Sequence, residues 1–232
     1  MDKDAQKVQT MFDELAPRYD LMNRVMTLGM DQRWRKFAVK KSIIQPGHLV
    51  LDLAAGTGDI AFAIQKLHPD ATVIAGDFSI GMLIHGRKRS NGEKLHWIAC
   101  DAMRLPFADN CLDAVIFGYL LRNVANLTQT LAEINRVLKP GGRIVCLDTT
   151  PPSKSILSPL IKLYMKLGLR FFAKAVGTDP TGANYRYLFE STLNFLPAPE
   201  LAKVFEQAGF SNVGYKTLNF KTIAIHWGHK PV

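Results

Sequence analysis

The stretch Leu49-Val50-Leu51-Asp52-Leu53-Ala54-Ala55-Gly56-Thr57-Gly58-Asp59 is an apolar run that reaches an acid and then breaks into a tight turn of small residues. It reads as the first strand of a parallel sheet entering a nucleotide-binding loop. Gly56 and Gly58 supply the turn, because a residue without Cβ takes positive φ and lets a ligand lie against bare backbone. Asp59 is placed to cap the next helix, its carboxylate accepting from free N–H groups of the first turn, and Ile60 to Ile64 continue with apolar helical character. The loop does not choose its nucleotide. Gly56, Gly58 and Ala61 also satisfy the permissive G-x-G-x-x-G/A dinucleotide pattern.

Working outward, strand and helix alternate, as in a parallel sheet covered on both faces. Thr72–Phe78, Leu95–Ala99, Leu112–Phe117 and Arg143–Leu147 read as strands two to five. Ser79 caps a helix running to about Arg89, and Asn126–Leu138 is a periodic helix that Lys139-Pro140-Gly141-Gly142 terminates. After a helix over Pro199–Ala208, Asn212–Leu218 and Thr222–Gly228 form two strands whose short connection makes them antiparallel. A seven-stranded, mostly parallel sheet ending in an antiparallel hairpin resembles the Rossmann-like fold of S-adenosylmethionine-dependent methyltransferases. A dehydrogenase would carry a second βαβαβ half instead.

The chain has 232 residues, enough for one large α/β domain with a full core. It is read here as a single domain, with residues 1–45 as an N-terminal helical lid and 151–183 as an insertion. No stretch is apolar enough to span a bilayer, and the acidic Met1-Asp2-Lys3-Asp4 start does not resemble a signal peptide, so a cytoplasmic location is expected. Cys100, Cys111 and Cys146 share no C-x-x-C spacing and read as reduced, mostly buried thiols. His226 and His229 lack a partner set with ligand spacing, so no metal is expected. The net charge of +9 predicts attraction to a polyanion. With no RNA-binding motif and no base-stacking set, nucleic acid is not the expected partner.

Candidate site residues fall at strand ends, where open α/β sheets bind ligands. Asp52, Asp77 and Asp101 fall near the ends of three successive strands. Asp77 can take both ribose hydroxyls of a nucleoside, and Asp101-Ala102 resembles the pair with which methyltransferases hold the adenine edge. Arg122 and Asn123 lie just past the fourth strand. Arg122 stays protonated and could stabilise an oxyanion, or could be a structural ion pair with a sheet-end carboxylate.

Tyr19-Asp20-Leu21-Met22-Asn23, the Leu51–Asp59 loop, Leu121-Arg122-Asn123-Val124, Arg136-Val137-Leu138-Lys139-Pro140-Gly141-Gly142 and Tyr185-Arg186-Tyr187-Leu188-Phe189-Glu190-Ser191 together resemble the ubiquinone/menaquinone-biosynthesis C-methyltransferase family over nearly the whole chain. The resemblance implies S-adenosylmethionine as cofactor, with Asp52, Gly56, Thr57, Gly58, Asp77, Phe78, Asp101, Ala102 and Gly118 at the cofactor site. It implies a prenylated quinol as substrate, Arg122, Asn123 and Tyr19 in catalysis, and Asn23, Tyr187 and Arg122 against the ring. Asp31 or Asp148 could receive the proton through water. Gly118 and Thr27 stand where serine is usual, Asp31 where histidine is usual, and Leu120 where glycine is usual. The alternatives are an O- or N-methyltransferase on the same scaffold and a non-catalytic cofactor- or nucleic-acid-binding module. Lys162, Lys166, Arg170 and Lys174 recur every fourth position beside an apolar stripe, which reads as a basic amphipathic helix. Four such charges near anionic lipid contribute on the order of 4 kcal/mol, so reversible, peripheral membrane attachment is expected. A homodimer and a monomer are both compatible with the sequence.

Overall fold

The structure is a computed structural model that describes residues 5–151, 187 and 190–232. The basic stretch and most of the motif beginning at Tyr185 lie outside the described residues.

Three helices precede the sheet: α1 (Ala5–Leu15), α2 (Tyr19–Met26), entered through a 3-10 turn at Ala16–Arg18, and α3 (Asp31–Lys41). Then come β1 (Leu49–Leu53), α4 (Asp59–Leu67), β2 (Thr72–Asp77), α5 (Ile80–Arg87), β3 (His96–Ala99), β4 (Leu112–Gly118), α6 (Leu127–Val137), β5 (Leu138–Thr149), α7 (Ala198–Gln207), β6 (Ser211–Leu218) and β7 (Ile223–His229). The seven strands lie in the order β3-β2-β1-β4-β5-β7-β6. β1 to β5 are parallel, and β7 joins β5 antiparallel and pairs with β6 as a hairpin. The expected architecture is the observed one. Chain order reverses between β1 and β4, so the ligand crevice of an open sheet belongs at their C-terminal ends.

Alternation explains why the sheet is sealed on both faces. Leu51, Leu53, Val115, Phe117, Ile144 and Cys146 point to one side and pack with Leu131, Ile134 and Val137 of α6 and Leu201 and Phe205 of α7. Val50, Ala114, Ile116, Val145 and Leu147 point to the other, under Trp34, Ala38 and Val39 of α3 and Ile60, Ala61 and Ile64 of α4. Each large apolar side chain fully buried here contributes about 1.5–3 kcal/mol. The three cysteines are free thiols.

Two local expectations are corrected. The helix before Lys139-Pro140-Gly141-Gly142 ends at Val137, and β5 begins at once with Leu138, so the four residues form a bulge inside the strand. A residue before proline avoids helical ψ, which extends Lys139, and Gly141 then turns at φ 79° with its N–H donating to Lys230 O at 2.9 Å. Asp59 does not cap α4. The cap is Gly58, at φ 89° and with no side chain to offer, and the first turn is served instead by Asp52, which accepts from Ala61 N at 2.8 Å. Ser79 does cap α5, accepting from Met82 N at 3.1 Å. Arg136 acts as a clamp, donating to Leu105 O and Phe107 O and pairing with Asp109 and Glu133, which fixes the loop after Ala102.

Candidate active site

Beyond the ends of β1, β2 and β4 lies an open cavity lined mostly by apolar side chains with a few polar groups, the character of a small-molecule site. The backbone there is strained. Ala54 after β1 and Tyr119 after β4 both take positive φ, 55° and 60°, although neither is glycine, and both line the cavity. Left-handed backbone at such residues costs about 1–3 kcal/mol and concentrates where a site needs a set geometry. Tyr119 N–H is held on Leu147 O at 2.7 Å, and Ala55 N–H on Gly76 O at 3.0 Å, so neighbouring strands impose the turns.

Asp77 is the polar centre of one wall. Its Oδ2 accepts from Gly56 N and its Oδ1 from Ser79 N, each at 2.7 Å. Burial pushes its carboxyl up to about 6, against those two hydrogen bonds. Each oxygen keeps a further lone pair for a ligand hydroxyl. Phe78, Met82, Cys100, Asp101, Ala102 and Met103 continue this wall, with Asp101 Oδ1 fixed by Met103 N at 2.8 Å. Gly118 and Gly56 face the cavity without side chains.

The opposite wall comes from α1, α2 and the segment after β4: Val8, Phe12, Tyr19, Leu120, Asn123 and Val124. Burial raises the Tyr19 phenol, while the neighbouring Asn23 pulls it down. Asn123 Nδ2 donates to Tyr119 O at 2.8 Å, and Asn123 Oδ1 accepts from the Tyr187 hydroxyl at 3.1 Å, so a residue 64 positions on is tied to this wall.

Several expected site residues stand behind the walls. Asp52 is fully buried, and burial drives its carboxyl well above the usual range; it supports the loop from beneath rather than facing the cavity. Gly58 does not line this cavity: a Cβ there would stand 2.6 Å from the Trp97 ring, so its glycine is required by packing as well as by φ. Thr57 lines a smaller neighbouring cleft, its hydroxyl donating to Asp20 Oδ1 at 2.5 Å. Asn23 lines neither of these two clefts, and its Nδ2 finds no acceptor among the described residues.

Arg122 is buried outside the cavity lining, with Nη1 at 3.2 Å from Asp148 Oδ1 and 2.9 Å from Thr149 Oγ1. Its guanidinium carbon lies 5.2 Å from the centre of the Tyr119 ring, which lines the cavity. The ion pair with a sheet-end carboxylate is therefore present. Burial raises the Asp148 carboxyl while Arg122 pulls it down. Asp31 lies in neither cleft. Burial opposes its charge, yet Arg35, Thr27 and Gln32 together hold its carboxyl below the usual range, which makes it a poor proton acceptor.

Sequence reasoning missed Tyr119, Met82 and the α1 residues Val8 and Phe12. The last two carried only an apolar helical spacing that core residues share, whereas Tyr119 lay two residues before the Leu121–Val124 motif. Among the described residues no group of three or more His, Cys, Asp or Glu gathers as a metal would require, and no helix is long and apolar enough to cross a membrane.

Residues 1–230 match the ubiE/COQ5 methyltransferase family. The chain is 52% identical over 223 residues to the ubiquinone/menaquinone biosynthesis C-methyltransferase UbiE of Desulfotalea psychrophila, covering 96% of this chain and 90% of that one. It is 40% identical to the demethylmenaquinone methyltransferase of Thermus thermophilus, covering 95% and 100%. Its fold is similar to that of a methyltransferase from Thermotoga maritima described as a possible histamine N-methyltransferase, with TM-score 0.67, 18% identity and coverage of 96% and 99%.

Proposed function

The chain belongs to the ubiE/COQ5 methyltransferase family and is an S-adenosylmethionine-dependent methyltransferase; from that premise we propose that it methylates a ring carbon of a prenylated quinol, held between the Tyr19–Asn123 wall and the Asp77 wall of its cavity. The observation that carries the reading is the joining of those two walls in one space, a nucleoside-type carboxylate on one side and a phenol, an amide and apolar surface on the other.

The residues present fit the donor. Asp77, oriented by Gly56 N and Ser79 N, would take the ribose hydroxyls, Asp101 and Ala102 the adenine edge, and Phe78 and Met82 the faces of the base, while Gly56 and Gly118 leave room for close approach. When bound, S-adenosylmethionine supplies a methyl group on a positively charged sulfur. The ring carbon that receives it becomes nucleophilic as an adjacent hydroxyl loses its proton, and the developing oxyanion needs a donor or a positive charge. Asn123 has an amide hydrogen to offer at the cavity face, and Arg122 supplies fixed charge from beside Tyr119. Tyr19, steadied edge-on by Phe12 at 6.1 Å, walls the ring, and Tyr187 holds Asn123 in orientation. Asp148 Oδ1 is engaged by the Arg122 guanidinium at 3.2 Å and by Thr149 N–H at 2.8 Å, so it serves that charge as its partner.

A polyprenyl acceptor resides in a bilayer, which supports reversible peripheral attachment at the inner face of the membrane through the basic 151–178 stretch. Labelled methyl transfer from S-adenosylmethionine to matched panels of reduced demethylbenzoquinols and demethylnaphthoquinols tests the reading. Label on a ring carbon of one panel names the quinone class; donor binding without label in either panel overturns the assignment of substrate.

A further inference from the structure

Two turns hold large apolar side chains out into solvent. Among the described residues, and apart from Val232, the most exposed of these are Phe220, at 80%, and Leu28, at 76%. Phe220 sits between β6 and β7, where Asn219, Phe220 and Lys221 take φ of 49°, 54° and 63° in succession. Leu28 sits between α2 and α3 at φ 50°. Asparagine tolerates left-handed backbone, but a leucine or phenylalanine there is an outlier. Both turns are pinned from within. Thr222 N–H and its hydroxyl donate to Asn219 O at 3.1 and 2.6 Å, and Gly29 N–H donates to Arg24 O at 2.8 Å.

The two turns stand at the edge of the sheet where the cavity opens. β7 runs antiparallel to β5 with Ile223 opposite Thr149, so the turn before β7 lies past the C-terminal end of β5, on the side where β1 and β4 border the cavity. α3 follows β7. Trp34 and Met30 belong to the same apolar layer as Ile223 and Leu218, and further along Phe37 meets Trp227 at 6.4 Å. The turn before α3 is therefore at the same edge.

The flank beside these turns is basic. No Asp or Glu occurs between Asp31 and Asp52 or after Glu206. α3 exposes Arg33, Lys36 and Lys40 along one face, and the hairpin exposes Lys216 and Lys221. Lys41 lies over the Trp227 ring at 3.8 Å and Lys216 over the Phe37 ring at 5.1 Å, which joins helix and hairpin into one cationic surface. Single exposed apolar residues are ordinary on a protein surface. Two on pinned turns, beside a flank without acids, match what a membrane interface takes: apolar tips at the boundary of headgroups and acyl chains, and cations at an anionic surface.

We infer that the turns at Leu28 and Phe220 enter the interface of an anionic bilayer while the α3–hairpin flank lies on its surface, so that the edge bearing the cavity faces the lipid. The inference rests on the quinol reading above and deepens it, because attachment in this orientation lets an isoprenoid tail stay among the acyl chains while its ring enters the protein.

Sedimentation of the full chain with vesicles of phosphatidylcholine mixed with phosphatidylglycerol tests it. Leu28→Ser and Phe220→Ser should each weaken binding about tenfold, while labelled methyl transfer to a short-chain, water-soluble demethylquinol stays within about twofold of wild type. Leu28→Trp and Phe220→Trp put a reporter at each tip. Their added emission should be quenched by lipids brominated on the acyl chains, and that of Leu67→Trp, at the far end of α4, should not. Serine variants that bind like wild type overturn the inference. So does vesicle binding without quenching at either tip, equal quenching at all three positions, or a wild-type chain that leaves the vesicles unbound, whether or not it binds single-stranded RNA. In each of these cases methylation of the short-chain quinol keeps the substrate reading standing. Quenching at both tips without methylation of any quinol upholds the docking face and overturns the substrate instead.

Discussion

Arg122 is both the proposed source of fixed positive charge and one half of a buried ion pair, and a double substitution separates the roles. Arg122→Met removes the charge and strands Asp148, which is 1% exposed, so the cost to stability is about 3–5 kcal/mol. In a chain of this size that lowers the midpoint of thermal unfolding by roughly 6–20 °C. Adding Asp148→Leu removes the stranded carboxylate; the backbone N–H groups of Thr149 and Arg122 and the Thr149 hydroxyl then lose a partner, so stability returns part of the way to wild type. Catalysis should not return with it. The guanidinium stands 5.2 Å from the Tyr119 ring centre, which places a ring oxyanion on the cavity face about 8–9 Å from the charge. At an effective dielectric constant of about 20 the attraction is worth up to about 2 kcal/mol, or roughly 30-fold in turnover. The assay pairs thermal unfolding with labelled methyl transfer to a reduced demethylquinol for wild type, both single variants and the double. A double variant that regains wild-type turnover together with stability would show that Arg122 is only an ion-pair partner, and the electrostatic argument fails.

Two buried titrating groups should give opposite pH slopes. Asp77 has its folded pKa raised to about 6, so the folded state holds a proton that the unfolded state releases, and stability falls by about 3 kcal/mol as pH rises from about 4 to 6. His226, buried with Nε2 against Ala198 O at 2.8 Å, is depressed to about 4, so the unfolded state takes the proton first and about 3 kcal/mol is lost as pH falls from about 6.5 to 4. Urea unfolding at pH 4.5 and 7.5 should therefore show Asp77→Asn gaining in relative stability at the higher pH and His226→Gln gaining at the lower; like signs would contradict the burial argument. Gly58→Ala places a methyl group against Trp97 at a φ of 89° and should cost about 1–3 kcal/mol in chemical denaturation, with weakened nucleoside binding; a silent substitution would mean that the loop relaxes freely. Replacing Lys162, Lys166, Arg170 and Lys174 with glutamine should reduce binding to anionic vesicles by up to about 10³-fold, measured by sedimentation, and leave neutral vesicles unaffected; equal binding before and after would remove the basic stretch from membrane attachment.

Most of the sheet was legible because its signals are local. Period-two apolar runs, a glycine loop after the first of them, Ser79 at a helix start and a short link before the last strand each follow from backbone geometry within a few residues, whereas the order of the strands in the sheet came only from the structure. The bulge at Lys139–Gly142 was misplaced because proline and glycine report that a helix ends without reporting whether a strand starts at once. Among the site residues, Asp77 and Asp101 were legible as acids at strand ends. The placing of Asp52, Arg122 and Tyr187 was not, because burial and partnership depend on what packs from elsewhere in the chain. Asp52 faces the start of α4, Arg122 meets Asp148 across 26 positions, and Tyr187 reaches Asn123 across 64. The sequence by itself thus determined the fold, the donor-binding end of the sheet and the residue types available there. Only the tertiary structure decided which of those side chains face the cavity, which brace it from behind, and that the turns at Leu28 and Phe220 share the edge where it opens, because orientation and pairing are properties of neighbours brought together by folding.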